Sequence, residues 1–464
     1  MRFDWSRRVA VVGGTGVAGR AAATALLRRG AAVTVVDRSA TAAGEELAAA
    51  GAAFVVADTP SPELLAGVTD VVVSPGFPPT HPLVTAAAAA GIEVYSEPEL
   101  AWRLRGPGAP GWLAVTGTNG KTTTVTMLAA ILAAAGRRTA ALGNIGTPLV
   151  EAAADPAYDV LAVELSSFQL HWSRLLAPQA GALLNLADDH LDWHGSFAAY
   201  QEAKTAIWRS AAADGTAVGN LDDPRVAALL RAVAGDRIGV TLRPPQVGDG
   251  HVLGVLDGTL VESAPCAAPT PLVEAAAVRP AGAHNVANAL HAAALARAAG
   301  VPAAAVAAGL RGYTPEPHRN AAVATVAGVR YVDDSKATNP HAAHASLTSY
   351  PRVVWVAGGQ LKGVDVDPLV AAVAGRLAGA VLLGVDRAAV AAALRRHAPG
   401  LPVVEVASVD DGAMDEVVRA AAALAAPGDT VLLAPAAASK DMYSGYPARG
   451  RAFAAAVDRL AGRP

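Results

Sequence analysis

Short β-branched runs alternate with longer alanine- and leucine-rich stretches along most of the chain. Val9 to Val12 runs into glycines, a helix-like stretch follows to Arg29, and A-A-V-T-V-V-D closes at Asp37. Strand, helix and strand in that order form the unit of a parallel sheet. The alternation continues through V-V-V-S-P-G at 71–76, a helix up to Ala90, and I-E-V-Y-S-E-P as a strand with its exit loop. After Trp102, the glycine- and proline-rich R-L-R-G-P-G-A-P-G-W reads as a linker. A second α/β pattern begins at W-L-A-V-T-G and runs through D-V-L-A-V-E-L and A-L-L-N-L. Weaker alternating segments between Gly239 and Val278 predict added antiparallel strands, and the helix N-V-A-N-A-L-H-A-A-A-L-A-R-A-A-G closes that region. Y-T-P-E-P-H-R is the next hinge. Beyond it V-R-Y-V-D-D-S, V-V-W-V-A-G-G, A-V-L-L-G-V and T-V-L-L-A-P are apolar strands ending in small or polar residues. Such runs fit a parallel sheet buried on both faces.

Composition narrows the class without changing this picture. The 464 residues are enough for about three domains. Charged residues are 17%, below the usual ~25%, and the net charge of -3 points to neither a nucleic-acid nor an anionic-membrane partner. The one cysteine, Cys266, stands in E-S-A-P-C-A-A-P, which reads as a surface loop carrying an incidental thiol. A long chain that can form no internal disulfide fits a reducing cytosol. The start, M-R-F-D-W-S-R-R, is unlike a signal peptide, and no apolar run approaches the ~18 residues needed to span a bilayer.

Two glycine loops carry candidate chemistry. Strand Trp112 to Val115 runs into T-G-T-N-G-K-T-T-T and then an apolar helix. Glycines let the loop curl so that backbone N–H groups face an anion, and the helix N-terminus adds a positive dipole. Lys121 can reach outer phosphates, and Thr122 supplies a hydroxyl for phosphate-bound magnesium. The match is to a short form of the phosphate loop, Gly117-Thr118-Asn119-Gly120-Lys121-Thr122-Thr123, because Val115 stands where the longer form has glycine. At the front, Gly14-Thr15-Gly16-Val17-Ala18-Gly19 fits G-x-G-x-x-G, with Asp37 ending the next strand 18 residues after Gly19. That is the layout of a dinucleotide site, with an acid for a ribose hydroxyl. It keeps a nicotinamide-dependent dehydrogenase open as an alternative, although such an enzyme leaves the second loop unexplained. The expected architecture is α/β in three domains: Rossmann-like at 1–109, a mixed sheet of P-loop ATPase type at 110–314, and Rossmann-like at 315–464.

Strand D-V-L-A-V ends at Glu164, where a carboxylate can meet the phosphate loop across the crevice and bind magnesium. A further strand ends in a polar cluster, Asn185, Asp188, Asp189, His190, Asp192 and His194. Any single member of that cluster reads as a solvated loop residue. Lys204, fourteen residues after His190, reads as a solvated helix lysine.

T-G-T-N-G-K-T-T resembles the nucleotide loop of the Mur ligases, and also that of folylpolyglutamate synthetases. E-L-S-S-F-Q-L and D-H-L-D-x-H are similar to segments of the D-glutamate-adding branch of the Mur ligases. The resemblance implies ATP and two magnesium ions as cofactors, with Thr122, Glu164 and His190 holding metal beside a carbamylated Lys204. In that family the first domain receives the UDP end of the substrate. Val17 and Ala18 would face the diphosphate, where relatives often have threonine in place of Ala18. Asp37 and Arg38 would lie near uridine, Gly76 would line the site, and Asn144, in L-G-N-I-G-T-P, would stand with His190 beside the sugar-nucleotide substrate. In H-N-V-A-N-A-L, Asn285 would contact adenine, and in Pro317-His318-Arg319 the arginine would meet ATP phosphate. The sequence then departs from relatives, with Asn320 and alanines where an acid is often near.

D-D-S-K-A-T-N-P at 333–340 is the most discriminating motif. It resembles the D-glutamate-adding branch. The aspartate-asparagine-proline-arginine motif of the diamino-acid-adding branch is absent, and Thr338 stands where folylpolyglutamate synthetases have histidine. The resemblance gives Asp334 to the ATP site, Lys336 to the reacting phosphate, and Thr338, Lys362, Ser439 and Tyr446 to D-glutamate. Lys440 and Tyr446 replace apolar residues of some relatives. The implied reaction joins D-glutamate to UDP-N-acetylmuramoyl-L-alanine with ATP, through an acyl phosphate, with Lys121, His190, Lys204 and Lys336 catalytic. A cytoplasmic monomer is expected, with these small molecules as its partners. A non-catalytic ATP- or UDP-sensing regulator is a third reading; it would be expected to lose Lys121, Glu164 or Lys204, and all three are present.

Overall fold

The computed structural model describes residues 4–57, 59, 61–211, 213–246, 250–265, 267–408 and 412–462. Cys266 lies outside them. The chain divides into two compact units, Met1–Ala277 with Ala287–Tyr313, and Val278–Val286 with Thr314–Pro464.

The first unit holds two sheets. One is built from β1 (Val9–Gly13), β2 (Ala32–Asp37), β3 (Ala53–Val56), β4 (Asp70–Val73) and β5 (Glu93–Ser96), all parallel in the order β3-β2-β1-β4-β5. Both faces are covered. Ala10, Val12, Val33, Val35 and Val72 pack into one core, and Val11, Val36, Val71 and Val73 into another. This is why the strands are nearly continuous apolar runs rather than alternating ones. The pattern did not mark β3, a four-residue edge strand with no fully buried position. Strand order reverses between β1 and β4, so the loops after these strands share one crevice, as in doubly wound sheets. There the Ser74 hydroxyl donates to Gly13 O at 2.9 Å.

The other sheet contains β6 (Gly111–Thr116), β7 (Ala141–Gly143), β8 (Val160–Glu164), β9 (Ala180–Leu183), β10 (Thr216–Asn220), β11 (Asp236–Val240), β12 (Val252–Leu256), β13 (Thr259–Ser263) and β14 (Thr270–Glu274). Its order is β14-β13-β12-β11-β10-β9-β6-β8-β7. The antiparallel extension is shorter than expected. β11 pairs with both β10 and β12 in parallel, and only β12-β13 and β13-β14 are antiparallel.

The two sheets are locked together by the helix Glu97–Leu104, which precedes the 105–110 loop. Its buried Glu99 carboxylate accepts from the backbone N–H groups of Arg174, Leu175 and Leu176 and from Arg103 Nε at 2.9 Å. Glu97 accepts from Val150 N at 2.7 Å, and burial pushes its carboxyl up to about 7. Nothing in the hydrophobic pattern marked these two acids. The glycine- and proline-rich stretch is thus a short tether beside a buried junction.

The second unit carries β15 (Ala321–Val326), β16 (Val329–Asp333), β17 (Val353–Gly358), β18 (Leu377–Leu383), β19 (Val403–Glu405) and β20 (Thr430–Leu433), in the order β15-β16-β20-β17-β18-β19. Val353, Trp355 and Ala357 face one core, and Val354, Val356, Val431 and Leu433 the other. The four strands read from the sequence, β16, β17, β18 and β20, pair in parallel as expected. The edge strand β15 is instead antiparallel to β16, as a hairpin requires after the two-residue turn at Ala327-Gly328. Among the described residues no helix is long and apolar enough to cross a membrane.

Candidate active site

The loop between β6 and the helix Lys121–Ala134 curls because Gly120 adopts φ 86°, a left-handed conformation that glycine accepts without strain. A Cβ there would also collide with the Asn288 side-chain oxygen. The loop is held from below. Asn119 N donates to Asn185 Oδ1 at 2.9 Å, and Asn185 Nδ2 returns a bond to Asn119 O at 3.1 Å. Thr118 shares a 2.8 Å bond with the Tyr200 hydroxyl and accepts from Ala187 N. Lys121 Nζ folds back onto Gly117 O and Thr118 O, both at 2.9 Å, which keeps its charge over the loop. The first helical turn carries no acid, so its N–H groups and dipole are uncompensated. Thr123 is buried just inside that turn.

Beside the loop, Glu164 is buried at the end of β8. Thr122 Oγ1 donates to its Oε2 at 2.7 Å and Asn144 Nδ2 to its Oε1 at 2.8 Å. Two residues far apart in sequence therefore converge on one carboxylate. Lys204 is not the solvated lysine that its local sequence suggests. It is 2% exposed, and its Nζ donates to Gly117 O at 2.8 Å and lies 4.9 Å from the Tyr200 ring centroid. Burial, reinforced by the charge of Lys121, drives its ammonium well below the usual lysine range, against the weaker pull of Asp189 and Glu164. His190 has a left-handed backbone, φ 54°. Its Nε2 is 3.5 Å from Asp189, and its ring is 4.7 Å from that of Phe168. Burial lowers its pKa, helped by Lys121 and Lys204 and opposed by Asp189 and Asp192. His194 bonds Ser167 through Nε2, and burial pushes it down to about 4.

The donor set can be tested against a metal. Thr122 Oγ1 and Glu164 are adjacent hard oxygen donors, yet no group of three or more His, Cys, Asp or Glu among the described residues could hold an ion. That suits magnesium, which keeps water and shares phosphate oxygens, better than a metal needing a full protein cage.

The front loop is built differently. Asp37 accepts from both Thr15 N at 2.8 Å and Thr15 Oγ1 at 2.7 Å, and Thr41 bonds the same hydroxyl at 2.9 Å. Burial pushes the Asp37 carboxyl up, but its bonds from Thr15, Ser39 and Arg38 outweigh this and hold it below the usual range. The acid expected to face a ribose thus also braces the loop. Gly19 permits the helix to touch the loop, since a Cβ would overlap Gly14 O. Val17, Arg38 and Gly76 are exposed at this end of the sheet, and Ala18 is half-buried.

In the second unit, the loop after β16 is braced by Asp333, which accepts from His318 Nδ1 at 2.6 Å and Ser335 N at 2.9 Å. Asp334 accepts from Asn320 N at 3.1 Å; burial pushes it up to about 6, against Ser346, Asn320 and Arg319. Lys336 Nζ lies 4.1 Å from the Tyr446 ring centroid. Ser439 is buried, Thr338 half-buried and Lys362 exposed. Asn285 belongs to this unit's residues and donates to Ala281 O at 3.3 Å. His190, His318, Asn320, Lys362 and Ala436 are non-glycine residues with φ between 49° and 63°. Backbone held in this region clusters at functional loops.

Sequence reasoning missed Arg449. It is 1% exposed and binds Ser335 Oγ and O, both at 3.0 Å, Ala437 O at 3.2 Å and Gly358 O at 3.3 Å. One guanidinium thereby ties the loops that follow β16, β17 and β20. A lone arginine inside a helix gives no local signal of this. Tyr200 was missed for the same reason.

Comparison with known proteins agrees along the chain. Residues 7–96 match the N-terminal domain of MurD-like Mur ligases, 115–296 the Mur ligase middle domain, and 318–437 the glutamate ligase domain of Mur ligases. A protein of Thermobifida fusca named UDP-N-acetylmuramoylalanine--D-glutamate ligase is 53% identical, over 98% of this chain and 99% of its own. One of the same name from Frankia casuarinae is 54% identical, over 98% and 95%. Among solved structures, a pseudomurein peptide ligase type C from Methanothermus fervidus superposes with a TM-score of 0.58 at 18% identity, covering 98% of this chain and 100% of that one. UDP-N-acetylmuramate-alanine ligase from Thermotoga maritima gives 0.56 at 17%, covering 98% and 99%. These two structures bear on the fold alone.

Proposed function

The chain belongs to the Mur ligase family, and on that premise we propose the reaction and the residues that perform it. The protein is an ATP-dependent ligase that adds D-glutamate to UDP-N-acetylmuramoyl-L-alanine in peptidoglycan synthesis. The observation that carries the residue assignment is the Thr122–Glu164–Asn144 chain beside the Gly117–Lys121 loop, with Lys204 beneath it.

A carboxylate does not acylate an amine directly, because oxide would have to leave. The L-alanyl carboxylate oxygen attacks the γ-phosphorus of ATP, ADP leaves, and an acyl phosphate forms. The neutral amine of D-glutamate then attacks the acyl carbon, loses a proton, and inorganic phosphate leaves. The first transfer demands in-line positioning and charge neutralisation. The Gly117–Gly120 N–H groups, Lys121 and the Lys121–Ala134 helix N-terminus hold the phosphates, while Arg319, Lys336 and Asp334 act on the ATP and the transferring group. Magnesium, when bound, would be held by Thr122, Glu164 and His190 and would neutralise phosphoryl charge. Lys204 is suited to carbamylation. Burial and the charge of Lys121 lower the pKa of its amine, which favours the neutral form whose nitrogen adds to carbon dioxide with loss of a proton, leaving a carboxylate where a metal ligand is otherwise short.

His190, with its lowered pKa, is the candidate acceptor for the amine proton when metal leaves it free. Asn285 contacts adenine. Val17, Ala18, Asp37, Arg38, Gly76 and Asn144 bind the UDP-sugar; Thr338, Lys362, Ser439 and Tyr446 bind D-glutamate. The functional divisions are 1–109, 110–314 and 315–464, in a cytoplasmic monomer. A nicotinamide dehydrogenase is disfavoured because it leaves the Gly117–Lys121 phosphate loop without a role.

The test is phosphate release from ATP with UDP-N-acetylmuramoyl-L-alanine, with D-glutamate, L-glutamate or diaminopimelate. Release that requires D-glutamate, with a product heavier by one glutamyl unit, is expected. Release with diaminopimelate instead, or no release with any muramoyl substrate, would overturn the assignment.

A further inference from the structure

A cleft of about 440 Å³ opens in the first unit where the helix Glu97–Leu104 gives way to the 105–110 loop. None of its lining residues belongs to either glycine loop or to the sites assigned above. Arg29, Arg103 and Arg105 line it, with Trp5 and Pro107 as apolar wall, and among the described residues no Asp or Glu does.

The three cations are not equivalent. Arg103 is neutralised, by Glu99 at 2.9 Å and by Glu93 at 2.6 and 2.8 Å. Arg29 donates to Leu104 O at 3.2 Å and has no carboxylate partner among the described residues. Arg105 Cζ lies over Trp102, 4.1 Å from the ring centroid, and the guanidinium donates through Nη2 to Pro110 O at 2.7 Å. Its Nε is buried with no hydrogen-bond partner, and it too lacks a carboxylate among the described residues. Asp155, next to the lining residues Ala154 and Pro156, uses its carboxylate on Ala157 N. A guanidinium N–H that is buried without an acceptor is costly, and Arg105 is otherwise half-buried, open on its remaining donors to the cleft. The contact with Trp102 and the bond to Pro110 O hold the guanidinium in place, which preorganises it for an anion.

We propose that this cleft is a binding site for a small organic phosphate, with Arg105 as the chief ligand cation and Arg29 as the second. Two uncompensated charges match a dianion. The volume exceeds that of a bare phosphate ion and falls in the usual range for small-molecule sites. An occupant would bridge Trp5, the 105–110 loop and the turn at Ala154, and so stiffen the junction between the two sheets.

Inorganic pyrophosphate is the probe, titrated calorimetrically into the full-length Lys121→Ala protein saturated with UDP, so that the ATP loop is weakened and the front loop is already filled. One binding event is expected that slows amide exchange across 105–110 and weakens about tenfold or more on adding Arg105→Lys. Arg105→Lys keeps the charge and the stem, and Arg29→Ala offers a second variant if the first is unstable. Unchanged stoichiometry and affinity in both double variants, or no slowing at 105–110, would overturn the proposal. Citrate binding there in place of pyrophosphate would overturn the phosphate class.

Discussion

Two glycine loops follow the first strand of their sheets in this protein, and they solve different problems. The front loop is braced by a carboxylate: Asp37 takes both the backbone N–H and the hydroxyl of Thr15. It leaves its helix N-terminus without a capping side chain or a lysine. The central loop is braced by neutral groups, Asn185, Tyr200 and Ala187. It gathers its working groups at one place, with Lys121 and Lys204 both on the Gly117 carbonyl and the Glu164 carboxylate bonded to Thr122. The first arrangement can hold a diphosphate that stays intact. The second carries the charges that a migrating phosphoryl group needs. A dinucleotide-like motif and a phosphate loop in one chain therefore do not imply two similar sites.

The largest test of that contrast is Lys121→Ala. Phosphate release is expected to fall by about 10³-fold or more, with affinity for the UDP-sugar changed by less than about twofold. A comparable loss of UDP-sugar affinity would mean the two loops are one site. Next is Lys204→Met, expected to lower activity by about 10²-fold and to have a pH-dependent effect on stability. The native lysine binds its proton less tightly than the unfolded one, so the unfolded state carries more protons between the lowered native pKa and about 10.4. Wild-type stability contributed by this group therefore rises with pH across that window. In carbon dioxide-free buffer, thermal melts should show Lys204→Met raising Tm more at pH 6 than at pH 9. Equal shifts at both values would mean that the lysine is charged in the native protein.

Asp37→Ala comes third. It removes the brace of the front loop, so KM for the UDP-sugar should rise by about tenfold while kcat changes by less than about twofold. In the wild type the Asp37 contribution is present above the ordinary carboxylate pKa and disappears as pH falls through the lowered native value. An effect on kcat alone would place Asp37 with the chemistry rather than with substrate binding.

The two loops also differ in how far they were legible. Spacing alone placed both glycine loops after strands and before helices, because turn geometry and helix dipoles are local. Lys204 was misread as solvated because its burial depends on Gly117 and Tyr200, contacts that no local pattern encodes. Only the family resemblance singled it out. Asn144 and Thr122 meet on Glu164 through the β7-β8-β6 strand order, which apolar periodicity does not fix. Arg449, Glu97 and Glu99 were invisible for a related reason. Buried charges are rare enough that a lone arginine or glutamate on a helix reads as solvent-facing until its partners are known. The parallel β11-β12 pairing and the antiparallel edge strand β15 went unpredicted because an alternating run specifies a face, not a direction.

The smallest expected effect probes whether the front loop works by backbone alone. The helix Val17–Arg28 starts at Gly16 with no side-chain cap and no acid in its first turn. Its N–H groups are then the available donors for a diphosphate. Ala18 is half-buried at that turn and offers no hydroxyl. Ala18→Thr would add one donor beside an anion, and a typical hydrogen bond contributes about 1 kcal/mol net. KM for the UDP-sugar should therefore fall by about fivefold, with kcat and phosphate release at saturation unchanged. A lower KM would place the diphosphate against this turn and leave the central loop to ATP. No change, in a variant that melts like the wild type, would mean that the backbone groups already saturate the diphosphate oxygens. A rise in KM would place the sugar-nucleotide elsewhere on the first sheet, and the division of labour between the two loops would have to be redrawn.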